Sequence, residues 1–373
     1  MGDRPLGAGP DGLEPASTDR LMIRSVPGVD LDAPIQETLV RGVLWPSWVV
    51  TAGLIVPFTL GVSLPPVVQY VPLVASVLLL GLPHGAVDHL ALPRVRGRDP
   101  TFRAIAGVFA LYGALGVVYA VTWFLVPTAA FGFFILLTWA HWGQGDLYAL
   151  LAVADVGYLD TRARRALATV VRGGLPMLVP LVFFPDWYRR VADALVSLFA
   201  LASTARLDWA FQFETRLALG LAYGTVVLGY LAMGYLGSTT RRSTWTVDAG
   251  ETLLLIVFFA VVPPVFAVGV YFCVWHAYRH IARLVPLEPA SKAALSDRRI
   301  RPALARFARE ATPLTLVSLA LLGGFYLLVP NPPANPLGWV GLYLVLIAVL
   351  TLPHVAVVTL MDREQGVWSI TRP

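Results

Sequence analysis

Apolar runs of roughly bilayer length, each closed by a short polar break, follow one another from residue 43 to residue 361. A helix needs about 20 such residues to cross the hydrocarbon core. The runs are uniformly apolar and do not alternate, so they predict helices and exclude the strands of a membrane barrel. By length and breakers they cover 43–62, 67–91, 103–126, 128–152, 165–184, 215–237, 247–262, 264–284, 312–330 and 337–361. Pro263-Pro264 separates the seventh run from the eighth, as a break or tight turn. A further run at 188–203 is shorter and holds Arg189, Arg190 and Asp193, which makes it interfacial or re-entrant rather than spanning. The pattern therefore predicts an all-α, polytopic transmembrane bundle of about eight to ten spans. It is organised as a polar N-terminal tail (1–42), a single transmembrane domain (43–361) and a short C-terminal tail (362–373).

Charge placement orients these spans. The connections 92–102, 153–164, 238–246 and 285–311 carry most of the loop arginines and the only lysine, Lys292. The opposite connections 63–66, 127, 263 and 331–336 carry no charge. Only 185–214 breaks the asymmetry. The positive-inside rule then puts both termini in the cytoplasm of a multi-pass plasma-membrane protein. Composition agrees, with 57% hydrophobic and 14% charged residues, against about a quarter charged in a soluble domain. The net charge of +5 lies in these loops, so it reads as lipid-facing topology and not as a nucleic-acid surface. The stretch 297–310 reads as an amphipathic helix on the inner leaflet. The N-terminal 40 residues lack a signal-peptide pattern, and the lone Cys273 excludes an internal disulfide and a cysteine metal site.

Against that background the six histidines stand out. His84, His89, His141, His276, His280 and His354 all fall inside apolar runs, in the half nearest the basic loops. Ionisable residues in a membrane face the bundle interior and point to function. His276 and His280 are four apart, hence on one helix face. That pair, joined by histidines from other spans at the same depth, predicts a metal site between helices. Asp88 and Asp146 follow His84 and His141 by four and five residues, where a carboxylate can support a ligating imidazole. The histidines are too few for a membrane di-iron desaturase. No H-E-x-x-H motif suggests a zinc protease. A retinal-binding rhodopsin needs a lysine within a span, and Lys292 is in a loop. A bis-histidine haem protein remains open, as does a non-catalytic transporter or accessory protein that relays protons through His and Asp.

The motifs themselves narrow the choice. "GLPHGAVDH" at 81–89, "AHWGQGD" at 140–146, "RGGLPMLVPLVFFP" at 172–185, "YFCVWHAYRH" at 271–280 and "LPHVAVV" at 352–358 resemble, in the same order, the bacteriorhodopsin-related (Blh-type) family of integral-membrane β-carotene 15,15′-dioxygenases. The resemblance covers about residues 65 to 361. It implies a multi-pass enzyme that uses Fe(II) and O2 to split β-carotene at its central double bond into two molecules of retinal, the product supplied to a rhodopsin. Carried over by position, the iron ligands are His84, His141, His276 and His280. His354, Asp88, Asp146, Trp142 and Tyr271 take supporting or pocket roles, and His89 is a bystander. An apolar tunnel opening sideways to the bilayer is expected. Its lining is sought among Phe131, Phe133, Phe134, Trp139 and Trp142, and among Tyr271, Phe272 and Trp275 on the later segment.

Overall fold

A computed structural model of the chain describes residues 31–199, 207–238 and 242–370, and these residues form helices and turns without a strand. The first thirty residues of the expected tail, and 200–203 of the short run, lie outside the described residues. Among the described residues, eight helices are long and apolar enough to cross a membrane. They are α1 (Ala33–Thr59), α2 (Pro66–Val95), α3 (Phe102–Leu125), α5 (Arg162–Phe183), α7 (Phe213–Gly237), α8 (Arg242–Val261), α11 (Ile300–Leu328) and α12 (Pro336–Glu364). Two further helical stretches, α4 (Pro127–Ala152) and α9 (264–284), lie inside the bundle and carry three of the histidines. Between them the set matches the ten runs read from the sequence.

Several boundaries differ from expectation, each for a packing reason. Helix α1 starts ten residues before the first apolar run, with Pro34 in its first turn. Ile35, Leu39, Val43 and Leu44 are buried in the main core, and Thr38 donates a hydrogen bond to the Leu295 carbonyl at 3.0 Å. Residues 33–42 therefore belong to the fold. At the other end α12 runs on to Glu364, and Asp362 and Val367 are fully buried, so the C-terminal segment is docked as far as described. The basic stretch 297–310 is not a separate surface helix. Residues 297–299 form the turn before α11 and 300–310 its first turns, tied down by Arg94–Glu310, Arg298–Glu37 and Arg306–Glu288 ion pairs.

The short run forms α6 (Pro185–Val196). Its twelve residues give a length of about 18 Å, well short of the bilayer core. The loop helix α10 (Pro289–Ser296) is capped by Glu288, whose carboxylate accepts from the Ala290 and Ser291 amides.

Glycines bring α4 and α5 into backbone contact. A Cβ on Gly173 would lie 1.9 Å from the Trp139 carbonyl oxygen, and one on Gly143 would lie 2.0 Å from that of Thr169. Both obstacles are backbone, so neither can swing aside. Gly173→Leu is accordingly expected to destabilise the bundle at or beyond the upper end of the roughly 1–3 kcal/mol typical of overpacking. Size-exclusion chromatography in detergent should show little monodisperse protein. A well-folded Gly173→Leu variant would refute the close crossing.

Helix α9 is the centre of the bundle and is nearly all buried. It is α-helical over Pro264–Val270, widens to a π-helix over Tyr271–Ala277, and returns to α-helix over Tyr278–Leu284. Wide turns of this kind are frequent at functional sites, and His276 sits inside this one.

Candidate metal centre

Helix α2 is not the continuous span that its hydropathy suggests. Turns at Leu79–Leu80 and Ala86–Val87 isolate a short helical piece, Gly81–Gly85. Gly81 fits there because it has no side chain: a Cβ would lie 2.5 Å from the Ser76 carbonyl oxygen and 2.7 Å from the Phe272 ring. The break carries His84 into the bundle, with its Nδ1 held by the Gly81 carbonyl. Helix α4 brings His141, α9 brings His276 and His280, and α12 brings His354.

These five imidazoles form one cluster. The eight ring pairs in contact have centroid separations from 4.7 Å (His141–His276) to 6.3 Å (His84–His141 and His141–His280). All five side chains are buried. The ligand atoms of His84, His141 and His354 lie within 4.8 Å of one another, as do those of Asp88, His280 and His354. His276 Nε2 is 3.0 Å from His141 Nε2. That distance suits a hydrogen bond, and it is also the spacing of two imidazole nitrogens set at right angles about a metal at roughly 2.1 Å.

The polar atoms left over show what the cluster lacks. His84 Nε2, His141 Nδ1, both nitrogens of His280 and His354 Nε2 are buried without a hydrogen-bond partner. Buried polar atoms are nearly always satisfied, and leaving one unpaired costs on the order of 1–3 kcal/mol. A shared cation among the rings would satisfy several at once, so the donor set fits a metal ion. His354 is arranged as metal-binding histidines usually are. Its Nδ1 is paired with Asp88 Oδ2 at 2.7 Å, which leaves Nε2 free, and the Tyr112 hydroxyl donates to the same carboxylate oxygen at 2.6 Å.

The remaining candidates fall into place around this core. Asp88 supports His354, across the bundle, rather than His84 on its own helix. Asp146 takes hydrogen bonds from Arg172 Nε (2.9 Å) and the Trp275 indole (3.1 Å). Trp142 packs on His276, with centroids 5.6 Å apart. Tyr271 stands behind it, against Trp142 and Trp275. His89 is outside the cluster and stacks on Phe109.

Sequence reading missed the layer of buried charge beneath the histidines. Glu251 accepts from Arg172, from both terminal nitrogens of Arg279 (2.6 and 3.0 Å) and from the Trp48 indole (2.6 Å). The Arg279 guanidinium also lies 3.8 Å over the Trp275 ring. Two glycines complete the packing. A Cβ on Gly145 would come within 3.2 Å of the His276 ring, and one on Gly85 within 3.4 Å of His354 Nδ1. The signals were present: Arg172 and Arg279 are charged residues within apolar runs, and the glycines flank histidine motifs.

Above the histidines lies an apolar cavity of about 510 Å³. His84, His141 and His354 form part of its wall, with Phe131, Phe134, Trp142 and Phe272 among the aromatics. Phe133 instead faces outward, 43% exposed. Trp139 spends its indole N–H on the Val170 carbonyl, and Trp275 spends its own on Asp146. Half of the aromatic lining expected from sequence is thus on the wall.

Known proteins agree with the motifs. The sequence profile of the β-carotene 15,15′-dioxygenase family matches residues 75–362. A Halobacterium salinarum protein named as probable β-carotene 15,15′-dioxygenase Blh is 51% identical, over 90% of this chain and 97% of its own length. A second protein from that organism, named as probable β-carotene 15,15′-dioxygenase Brp, is 30% identical over 86% of this chain and 90% of its own length. A β-carotene 15,15′-dioxygenase from uncultured marine bacterium 66A03 is 23% identical over 56% of this chain and 66% of its own length. No solved structure matches. The profile covers well over half of the chain and spans every histidine motif, so the chain belongs to the β-carotene 15,15′-dioxygenase family.

Proposed function

We propose that the chain splits β-carotene at its central 15,15′ double bond with O2 to give two molecules of all-trans-retinal. The observation that carries this reading is the cluster of five buried imidazoles, several with unpaired nitrogens, on the wall of an apolar cavity. The reaction balances without a further reductant: the C15=C15′ and O–O bonds break, and two C=O bonds form.

Imidazoles suit iron, zinc, copper and nickel, and cleavage by O2 calls for a redox-active member of that set. We assign iron(II), held by His84, His141, His276 and His280, and add His354 on the strength of its free Nε2 and its Asp88 partner. Bound iron(II) supplies the centre at which O2 is activated. The protein does the rest. Asp88 fixes the His354 ring and leaves its Nε2 turned to the site. Trp142 and Phe272 stack beside His276 and give the polyene a flat apolar wall. The apolar lining of the cavity disfavours water beside the reacting carbons.

The eight apolar helices make the chain a multi-pass membrane protein. We place it in the plasma membrane, with both termini cytoplasmic by the arginine asymmetry and with retinal passing to a rhodopsin. The test is expression in cells loaded with β-carotene, followed by pigment chromatography. Orange pigment should disappear and retinal appear, with neither change in a His276→Ala control. Intact carotene beside folded, iron-loaded protein would refute the substrate.

A further inference from the structure

The cavity wall is exposed on one side only. Among its residues, Phe109, Gly113 and Val117 on α3 and Val317 and Leu321 on α11 are exposed; the rest are buried or half-buried. All five are apolar and lie in the lipid-facing stretch of their helices, so the cavity opens to the bilayer between α3 and α11. Space continues there, since a Cβ on Gly113 would touch nothing within 4 Å and one on Gly116 only Val349, at 3.8 Å. The groove leads to unpaired, nine-tenths-buried polar atoms, namely His84 Nε2, His354 Nε2 and Thr138 Oγ1.

The other end is closed. Away from that exposed side the wall includes Pro176, Met177 and Pro180 on α5 and four residues of α6, all buried or half-buried. This explains a helix too short to span. Trp187, Tyr188, Val191 and Leu195 recur at helical spacing and all line the cavity. Asp186 and Arg190 lie on the exposed face. Arg190 covers the Trp187 ring at 5.3 Å, and Arg189 is paired with Asp208. Prolines stiffen this end, with Pro176 and Pro180 one turn apart in α5 and Pro185 opening α6.

We infer that α6 is the end stop of a molecular ruler. Resting on the proposed cleavage of β-carotene, the inference adds how the position of the cut is chosen. One ring-bearing half of the carotenoid enters between α3 and α11, passes the histidines and stops against Trp187 and Tyr188. The closed arm holds one half, and the bond left at the histidines is the central one. The other half remains in the α3–α11 groove, where nothing measures its length. A polyene has no polar group to mark its middle, so a fixed depth is the feature available to select one double bond among equivalent neighbours.

The test is product analysis. Wild-type protein should give retinal alone. Trp187→Ala, and Trp187→Leu as a milder change at this half-buried position, deepen the arm. Both should yield unequal pairs, one aldehyde longer and one shorter than retinal. Met177→Trp fills the arm, and should lower β-carotene turnover by about tenfold or more while iron content stays unchanged. Gly113→Trp narrows the mouth, and should slow cleavage without altering the products. Retinal as the sole product of both Trp187 variants, at wild-type iron content, would overturn the ruler. So would an off-centre cut in Gly113→Trp with central cleavage in the Trp187 variants. Wild-type protein that makes no aldehyde would instead overturn the proposed cleavage itself, which separates the two failures.

Discussion

His84→Ala is expected to fold, to purify without iron and to make no detectable retinal. His84 is the one ligand candidate on a broken helix, so removing its ring leaves the Gly81–Gly85 piece in place and deletes a nitrogen from the middle of the cluster. Loss of a group that only supports a ligand typically weakens metal binding about 10–100-fold. Loss of a ligand should exceed that range. The same outcome is expected for His141→Ala, His276→Ala, His280→Ala and His354→Ala, because the five rings share one small volume. His89→Ala is the internal comparison. Its ring stacks on Phe109 away from the cluster, and the variant should keep its iron. Metal analysis of the purified variants, run beside retinal chromatography, reads both quantities. Stoichiometric iron in two of the five cluster variants would sink the assigned ligand set.

The contrast between His84 and His354 shows how far the sequence could be read. Histidines at matching depth in four spans announced a shared site, because membrane helices rarely carry imidazoles without a use for them. The number of helices was legible for the same reason, as apolar length is a one-dimensional property. Which ring partners which carboxylate was not legible. Asp88 follows His84 by one turn, yet a turn at Ala86–Val87 intervenes and directs the carboxylate to His354, 266 positions away. Hydropathy is blind to such a break, since the glycines and proline that cause it are apolar. The short α6 posed the opposite difficulty: its charges marked it as non-spanning, but its apolar face acquires a meaning only once the cavity it closes is visible.

Glu251→Ala should cost the protein its fold rather than its chemistry. Glu251 is 3% exposed and accepts from Arg172, Arg279 and Trp48, so its removal takes a hydrogen-bonded carboxylate from two buried guanidiniums. Breaking a buried ion pair by deleting one partner costs about 3–5 kcal/mol, a large part of the roughly 5–15 kcal/mol that holds a typical domain together. Asp146 remains at 2.9 Å from Arg172 and 3.6 Å from Arg279, and Asp248 at 3.9 Å from Arg172, but neither is within hydrogen-bond distance of Arg279, whose two terminal nitrogens both lose their acceptor. Glu251→Gln keeps an acceptor for Trp48 but not the charge, and should fall between the two. Thermal unfolding in detergent, followed by tryptophan fluorescence, ranks the three proteins. Because Arg279 lies one residue before His280 and Asp146 five after His141, loosening this layer also moves the histidine cluster. Iron should therefore be lost from Glu251→Ala together with the fold, whereas His84→Ala loses iron from a protein that still unfolds cooperatively. An unfolding midpoint for Glu251→Ala equal to that of the parent would show that the buried charges are held by something other than each other.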